Sequence, residues 1–281
     1  MLLKAFVKGE RKHGEEIRVY RRRKYGKSDD GWNFEERDSV TGDVIASDLY
    51  QPGLERMKEE LGIAVTTDNQ EVVKKAEVVV LSVKPQFYAA VIEEIREVVS
   101  EGQIIVTIAP GQTLEHLQEL FGKPVKIVRT MPNTPALVGE GITGVCKNEL
   151  VTEEELSYIC KIFSGFGKAE VLSEKLMDVV VSVSGSSPAY VFLFIEAMAD
   201  AAVADGMPRA QAYKFAAQAV YGSAKMVLET GKHPGELKDM VCSPGGTTIE
   251  AVRVLEEKGF RSSVIEAMKA CVKVAKELGK K

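Results

Sequence analysis

Between about residues 44 and 171, short β-branched runs alternate with stretches of helical periodicity. This alternation is typical of a parallel sheet whose strands are joined by crossover helices. The pattern predicts helices at residues 54–61, 86–98 and 113–121, and a capping-box helix start at residues 152–155. It predicts strands at residues 44–47, 77–83, 104–108, 125–128 and 144–146.

After about residue 173 the strand pattern stops, and the chain is alanine-rich and helical to its end. We therefore predict an α/β fold class, in which a doubly wound parallel sheet (residues 44–172) precedes an all-α domain (residues 173–281). The most apolar stretch, residues 189–204, contains Glu196 and Asp200 and is short for a bilayer span, so we predict a buried helix.

The helices predicted at residues 192–205 and 210–228 carry apolar side chains on more than one face. Such helices need neighbours on several sides. Core packing within one domain would satisfy this need, and so would pairing with a second copy of the chain. We favour the second interpretation.

Composition narrows the function classes. The 281 residues are 45% hydrophobic and carry a formal net charge of −4, which favours neither nucleic acid nor an anionic membrane as a partner. The four cysteines form no Cys-x-x-Cys pair and do not cluster with the three histidines. We therefore expect no metal site and no disulfide framework, and a cytoplasmic location.

The strongest candidate for chemistry is the run SPGGTTIEA beginning at Ser243, where a glycine turn leads into an amphipathic helix. Free backbone N–H groups at a helix start bind anions, and Gly245 and Gly246 allow close approach, so a small carboxylate fits. An ordinary capped helix is the alternative. Two further helix starts lie upstream, SGSSPAY from Ser184 and HPGELKD from His233.

These segments, in this order and spacing, resemble the C-terminal half of pyrroline-5-carboxylate reductase, the last enzyme of proline synthesis. The resemblance extends from about Val44 to the C-terminus, and its most specific part is PGELKDMVCSPGGTTIEAV from Pro234. Further matches are SVKPQ from Ser82, RTMPNTP from Arg129 and GMP from Gly206.

The resemblance implies a Rossmann-like domain and an all-α dimerisation domain that builds an intertwined homodimer or a larger homo-oligomer. It implies hydride transfer from NADPH, with NADH as the alternative, to a cyclic imine, giving L-proline. Thr248 is expected to be catalytic through a hydrogen bond to the imine nitrogen. The residues expected to bind the substrate are Gly245, Gly246, Thr247, Ser184 and Ser186.

The resemblance also implies a cofactor site at the ends of the predicted strands. Asp48 ends the second strand, where a carboxylate favours an unphosphorylated adenosine ribose. Asn69 matches the family near the nicotinamide half, together with the corner at residues 108–110. The full set is Ser47, Asp48, Asn69, Ser82, Val83, Lys84, Pro85, Ile108, Ala109 and Pro110.

The N-terminal 43 residues depart from the family. No Gly-x-Gly-x-x-Gly turn is present, and more than half of residues 8–38 are charged, so we predict an aberrant or disordered segment in place of the first β-α unit. Without a buried first strand the sheet would contain an unpaired seam. Codon degeneracy permits residues 19–38, read one nucleotide later, to encode a family-like FIGEGNMG start, and we interpret the segment as frameshifted.

Two other functions remain open. A dehydrogenase of the β-hydroxyacid type relies on a lysine in its interdomain helix, and residues 189–200 contain none. An inactive homologue could oligomerise without binding nucleotide. A nucleotide-binding titration discriminates between this last hypothesis and the reductase.

Overall fold

The computed structural model describes residues 16–20 and 44–278 of the chain. Its strands are β1 (Glu16–Tyr20), β2 (Val44–Asp48), β3 (Ala64–Thr66), β4 (Val78–Leu81), β5 (Ile104–Thr107), β6 (Lys126–Met131), β7 (Gly141–Lys147) and β8 (Gly167–Val171). They form one sheet in the order β3-β2-β1-β4-β5-β6-β7-β8. Strands β2 to β6 point one way, and β1, β7 and β8 point the other.

Helices cover both faces of this sheet, which confirms the doubly wound arrangement. Alternate residues of β4 enter separate cores, with Val78 and Val80 in one and Val79 and Leu81 in the other. Because both faces are covered, the strand is almost wholly apolar. The helices of this part are α1 (Gln51–Leu61), α2 (Asn69–Lys75), α3 (Tyr88–Ile95), α4 (Leu114–Phe121), α5 (Glu153–Ser164) and the single turn α6 (Met177–Val180).

Local signals place several helix ends where the sequence predicts them. At the start of α5, the Thr152 hydroxyl accepts the Glu155 N–H at 3.2 Å, and the Glu155 carboxylate accepts the Thr152 N–H at 2.9 Å. The predicted capping box is therefore confirmed. Helix α2 begins after Asp68, whose carboxylate accepts two backbone N–H groups, but this seven-residue helix was not predicted.

The sheet is mixed, whereas the sequence predicts a parallel one. Strand β7 is antiparallel to β6 because the connection between them, residues 132–140, holds only a 3₁₀ turn (Thr134–Val138). A parallel pair would need a crossover of a dozen or more residues.

Strand β8, which pairs parallel to β7, was not predicted either, and its sequence, GKAEV, carries alternating charges typical of an edge strand.

Strand β1 fills the seam that was expected to stay unpaired. It lies between β2 and β4 and is antiparallel to both. The expectation of an absent first strand was wrong because ladder hydrogen bonds use only backbone groups, which a charged segment also carries, and the buried edges of β2 and β4 require partners. The predicted disorder and frameshift otherwise fall on residues 1–15 and 21–43, outside the described residues.

The direction of β1 differs from that of the first strand of a Rossmann fold. Tyr20 pairs with Val44, the first residue of β2, and Glu16 pairs with Asp48, the last. Tyr20, where β1 ends, therefore lies at the edge of the sheet opposite Asp48. In a Rossmann fold the first two strands are parallel and end at the same edge.

The chain divides into two compact units, with a boundary between Gly185 and Ser186. The described residues 172–185, which follow β8, belong to the sheet unit, and so do residues 272–278. The boundary lies thirteen residues beyond the predicted start of the helical domain because residues 172–185 pack on β6 and β7. The helices of the second part are α7 (Ser187–Ala204), α8 (Arg209–Thr230), α9 (Pro234–Val241), α10 (Thr247–Glu257) and α11 (Phe260–Leu278).

The helical unit leaves large apolar side chains exposed. On α7, Phe192 is 60% exposed and Leu193 67%, and on α8, Phe215 is 68% exposed. The buried residues of these two helices are small, apart from Pro188. In the single chain α7 is thus not the buried helix that the sequence predicts. Burying these side chains requires another surface.

Length and composition alone would also allow a membrane span here. An 18-residue window within Glu174–Ala204 has a mean hydropathy of 1.5 and 6% of its residues buried, and among the described residues no other helical segment is as long and as apolar. Glu196 and Asp200 lie within Glu174–Ala204, and a carboxylate in hydrocarbon is costly. A protein surface is the better cover for this helix.

We expect Gly167→Ala to destabilise the sheet unit. Gly167 has φ +150°, and a Cβ at this position would overlap the backbone carbonyl of Gly141 on β7. The free energy of unfolding should fall by about 3 kcal/mol or more, measured by urea denaturation at fixed protein concentration. Gly102→Ala is the matched control, because a Cβ there meets nothing within 4 Å. Equal stability of the two variants would contradict this account.

We expect Leu193→Asp to weaken self-association through the helical unit. A carboxylate on this apolar face would have to be desolvated in an interface between copies, at a cost of about several kcal/mol. Sedimentation should show a smaller species than the wild-type protein. Lys258→Asp changes charge on a side chain that is 75% exposed and already beside Glu257. That control should keep the wild-type size, and an unchanged size for Leu193→Asp would refute the prediction.

Candidate active site

The candidate site of the sheet unit is the edge of the sheet where the parallel strands end. Strands β2, β4 and β5 share a direction, so Asp48, Ser82 and Ile108 end or follow strands at the same edge. In open α/β sheets this edge binds ligands. Every residue predicted to contact the cofactor lies at this edge or, in the case of Asn69, beside β2.

Asp48 is 3% exposed and lies against the start of α1. Its Oδ1 accepts the Tyr50 N–H at 2.9 Å, and a Cβ on Gly53 would lie 3.8 Å from its Oδ2. A helix start stabilises such a carboxylate. No basic residue occurs between Asp48 and Arg56, although a site for a 2′-phosphate normally contains one.

Asn69 joins this group through a buried hydrogen-bond chain. The Ser47 hydroxyl donates to Asn69 Oδ1 at 2.7 Å, and Asn69 Nδ2 donates to Glu94 at 2.8 Å. Asn69 therefore lies beside the end of β2. The sequence interpretation grouped it with the corner at residues 108–110, which follows β5, and β1 and β4 separate β2 from β5. Glu94 was not predicted, and nothing in its helical context distinguishes it from a surface glutamate.

Tyr88 ties the ends of β4 and β5 together. Its buried hydroxyl bonds the Leu81 carbonyl at 2.8 Å and the Thr107 hydroxyl at 2.6 Å. The Thr107 hydroxyl also accepts the Ala109 N–H at 3.3 Å. Burial raises the pKa of Tyr88, so it stays neutral at physiological pH. Tyr88 thus fixes the loop Ser82–Pro85 relative to the corner Ile108–Pro110, and its sequence position predicts only a helix core residue.

Within the loop after β4, the side chains differ in exposure. Val83 is 5% exposed, whereas Lys84 is exposed. The backbone of Lys84 is extended, with φ −68° and ψ 149°, and a 3₁₀ turn begins at the next residue, Pro85. The residue before a proline favours this conformation. Lys84 is therefore placed to present its ammonium group to a ligand at this edge.

The helical unit has a candidate site of its own at the start of α10. Gly245 has φ +67°, a conformation that favours glycine, and the Gly246 N–H donates to the Ser243 carbonyl at 3.0 Å. No side chain caps the helix, so the N–H groups of Thr247 and Thr248 have no capping partner within it. Thr248 is half-buried and Thr247 exposed. This helix start therefore leaves N–H groups that an anion could use, and anion binding here stays a prediction.

The two predicted serines occupy different settings. Ser184 belongs to a π-helical turn, Val181–Gly185, and its hydroxyl donates to the Val180 carbonyl at 3.1 Å. Ser186 is the N-cap position of α7, and its hydroxyl accepts the Cys271 thiol at 3.3 Å. Among residues 44–278, no cluster of three or more metal-ligating side chains occurs.

The described residues fit the two ends of a dinucleotide. The Ser47, Asp48 and Asn69 group offers a carboxylate and hydroxyl at the edge where an adenosine ribose binds, and the ends of β4 and β5 form a rigid corner further along. The turn that would hold the diphosphate is not among them. A Rossmann-like sheet with these polar groups, joined to a helical unit, defines a dinucleotide-dependent oxidoreductase with a helical C-terminal domain.

Comparisons with known proteins give the family. A family model for pyrroline-5-carboxylate reductase dimerisation matches residues 174–278, and one for NADP oxidoreductase coenzyme F420-dependent matches residues 37–111. A pyrroline-5-carboxylate reductase of Escherichia coli is 54% identical over 86% of this chain and 94% of its own length. The chain belongs to the pyrroline-5-carboxylate reductase family.

Solved structures agree with this assignment. The chain is similar to a Coxiella burnetii pyrroline-5-carboxylate reductase, with a TM-score of 0.76 and 38% identity over 83% of this chain and 87% of that one. It is also similar to a Plasmodium falciparum pyrroline carboxylate reductase with NADP bound, with a TM-score of 0.73 and 34% identity over 77% and 82%. The Rossmann-like class and the helical dimerisation domain are thereby confirmed.

We expect Asp48→Asn to shift dinucleotide preference toward NADPH. The substitution removes the carboxylate that would repel a 2′-phosphate, so the ratio of the NADPH to the NADH dissociation constant should fall by about tenfold. Fluorescence titration of the nicotinamide measures both constants without turnover. Asp68→Asn is the control, since it removes a nearby carboxylate but keeps the cap of α2. A ratio that Asp48→Asn leaves unchanged would remove Asp48 from cofactor selection.

Proposed function

We propose that this chain reduces L-1-pyrroline-5-carboxylate to L-proline with NADPH, NADH being the alternative. The observation that carries the proposal is the uncapped, glycine-led start of α10, which offers free N–H groups and a threonine hydroxyl at one point. The reaction is the one that relatives at up to 54% identity are named for.

The helix start of α10 would hold the substrate. The backbone N–H groups of Gly245 and Thr247 would bind the substrate carboxylate, because the positive end of the helix dipole points at it. The Gly246 N–H already donates to the Ser243 carbonyl, so Gly246 would contribute by allowing the substrate to approach the main chain closely. The Thr248 hydroxyl can accept a hydrogen bond from the protonated imine nitrogen. Ser184 and Ser186 would add hydroxyl groups to the substrate pocket.

When bound, the reduced nicotinamide supplies the hydride. The chain's own residues then have to orient the two reactants and exclude water, which explains why this chemistry needs no histidine-carboxylate pair. Ser47, Asp48 and Asn69 would hold the adenosine ribose. The other residues proposed to contact the cofactor, at its nicotinamide side, are Ser82, Val83, Lys84, Pro85, Ile108, Ala109 and Pro110.

The working protein is a homo-oligomer, in keeping with the match to a dimerisation family. We propose that its basic unit is an intertwined homodimer in which the exposed apolar faces of α7 and α8 meet those of a second copy. Larger rings of dimers would use the same unit. We propose a cytoplasmic location and neither nucleic acid nor membrane as a partner, in line with a net charge of −4.

We expect Thr248→Ala to reduce kcat/KM for pyrroline-5-carboxylate by about 10–100-fold, the cost of losing one hydrogen bond to a charged group. Cofactor binding, measured by nicotinamide fluorescence, and the thermal midpoint should stay close to wild type because Thr248 caps nothing. Thr230→Ala removes a hydroxyl that donates to the Met226 carbonyl and accepts the Lys232 N–H at the end of α8, and should leave kinetics unchanged. Full activity of Thr248→Ala would exclude Thr248 from the mechanism.

An inactive homologue that oligomerises without binding nucleotide is the second candidate. The comparisons do not favour it; the one observation on its side is that β1 ends, at Tyr20, at the edge of the sheet opposite Asp48. A fluorescence titration of the full chain with NADPH and NADH separates the two proposals. Saturable binding with turnover supports the reductase, and a folded oligomer that binds neither dinucleotide supports the inactive homologue.

A further inference from the structure

A short connecting segment, residues 172–185, joins β8 to the helical unit and packs tightly on β6 and β7. A Cβ on Gly144 of β7 would lie 3.0 Å from Val180 Cγ1, and one on Gly185 would lie 2.8 Å from Met131 Cε. Gly144 and Met131 are register partners in the sheet. Both glycines therefore allow an approach that a larger residue would prevent.

Arg129 fastens the same segment electrostatically. Its side chain is 4% exposed, with Nη1 at 3.1 Å from Glu174 Oε1 and Nη2 at 3.4 Å from Asp178 Oδ1. Glu174 Oε1 also accepts the Leu114 N–H at 2.8 Å. A guanidinium fork bonds two carboxylates at once, which a lysine cannot reproduce. The buried guanidinium of Arg129 thus joins β6 to two points of the connecting segment, Glu174 before α6 and Asp178 within α6.

Cys146, which lies opposite Arg129 on β7, adds no charge to this contact. Cys146 is the register partner of Arg129, and burial, with Glu174 nearby, raises the pKa of the Cys146 thiol to about 12. The thiol is therefore neutral at physiological pH. The guanidinium is left to the two carboxylates.

The π-helical turn at the end of the connecting segment depends on these contacts. The Ser182 and Ser184 hydroxyls donate to the carbonyls of Val179 and Val180, at 2.9 and 3.1 Å. Both acceptors belong to α6, which also contains Asp178. The position of the Ser184 hydroxyl thus follows from the position of α6, and Arg129 holds α6. π-Helical turns occur frequently at functional sites.

We propose that Arg129 is a positioning residue for substrate binding, acting through Asp178 and α6 on the serine-bearing π turn. This rests on the proposed function, in which Ser184 contacts the imino acid. Arg129 touches neither reactant. It sets where the hydroxyl groups of the turn lie, so its loss should weaken substrate binding more than dinucleotide binding, because β1, β4 and β5 separate Arg129 on β6 from the proposed ribose site at the end of β2.

The test compares two charged residues of one strand, Arg129 and Lys126. Arg129→Met removes both contacts to the connecting segment, whereas Lys126→Met removes the contact from the other end of β6 to Glu155 of α5, 2.6 Å in length and also partly buried. We expect Arg129→Met to raise KM for pyrroline-5-carboxylate by about tenfold or more. The dissociation constant of Arg129→Met for NADPH should stay within about twofold of the wild-type value. In Lys126→Met, both this constant and the KM should stay within about twofold of wild type.

Two further variants sharpen the outcome. Arg129→Lys should restore part of the substrate affinity, because it keeps the charge but reaches one carboxylate. Should Arg129→Met fail to fold, Asp178→Asn keeps the Glu174 pair, removes only the negative charge that the guanidinium meets on α6, and should raise KM in the same direction. The proposal is overturned if Arg129→Met and Asp178→Asn change KM no more than Lys126→Met does, or if substrate and cofactor affinities fall equally.

Failure of this proposal differs from failure of the proposed function. If the wild-type chain reduces pyrroline-5-carboxylate but the Arg129 and Lys126 variants have the same KM, only the positioning role of Arg129 is rejected. A wild-type chain that binds neither the substrate nor a dinucleotide rejects both.

Discussion

Burial of the parallel strands on both faces is the constraint from which the site follows. In β4 and β5 every residue is buried, so each strand can present polar groups only where it ends. The ends of β2, β4 and β5 lie at one edge of the sheet. The polar side chains of these strands, Ser47, Asp48 and Thr107, lie at this edge and form hydrogen bonds there. The cofactor edge is thus a consequence of how the core is built.

The helical unit depends on a different condition. Its helices α7 and α8 bury little beyond Pro188 and a few alanines, while Phe192, Leu193 and Phe215 stay exposed. One large apolar side chain is worth about 1.5–3 kcal/mol when buried, so these residues can stabilise the unit only when another copy covers them. Because Gly245–Thr248 belong to this unit, the geometry of the proposed substrate site should depend on assembly as well as on folding.

The sequence predicts those parts of the fold that local patterns determine. The apolar runs locate β2, β4, β5 and β6, and the capping box locates the start of α5. Strand β8 was missed because it is polar and short, and the direction of β7 depends on the length of its connection. Asn69 and Arg129 were visible as residues of family-like motifs. Their partners Ser47, Glu94, Glu174 and Asp178 are 22 to 49 residues away along the chain, and no local pattern carries such pairings.

Two neighbouring regions of the sheet unit are held by different kinds of contact, although Arg129 of β6 is the register partner of Thr107 of β5. The dinucleotide edge is held by neutral groups, chiefly the Tyr88 and Thr107 hydroxyls and the Ser47–Asn69 pair. The connecting segment is held by the charged cluster of Arg129, Glu174 and Asp178, with two glycines that permit its close packing. A buried cation is sensitive to the loss of either partner, whereas neutral hydrogen bonds are individually worth about 1 kcal/mol. Substitutions in the charged cluster should therefore act on the substrate side of the enzyme more strongly than comparable substitutions act on the cofactor side.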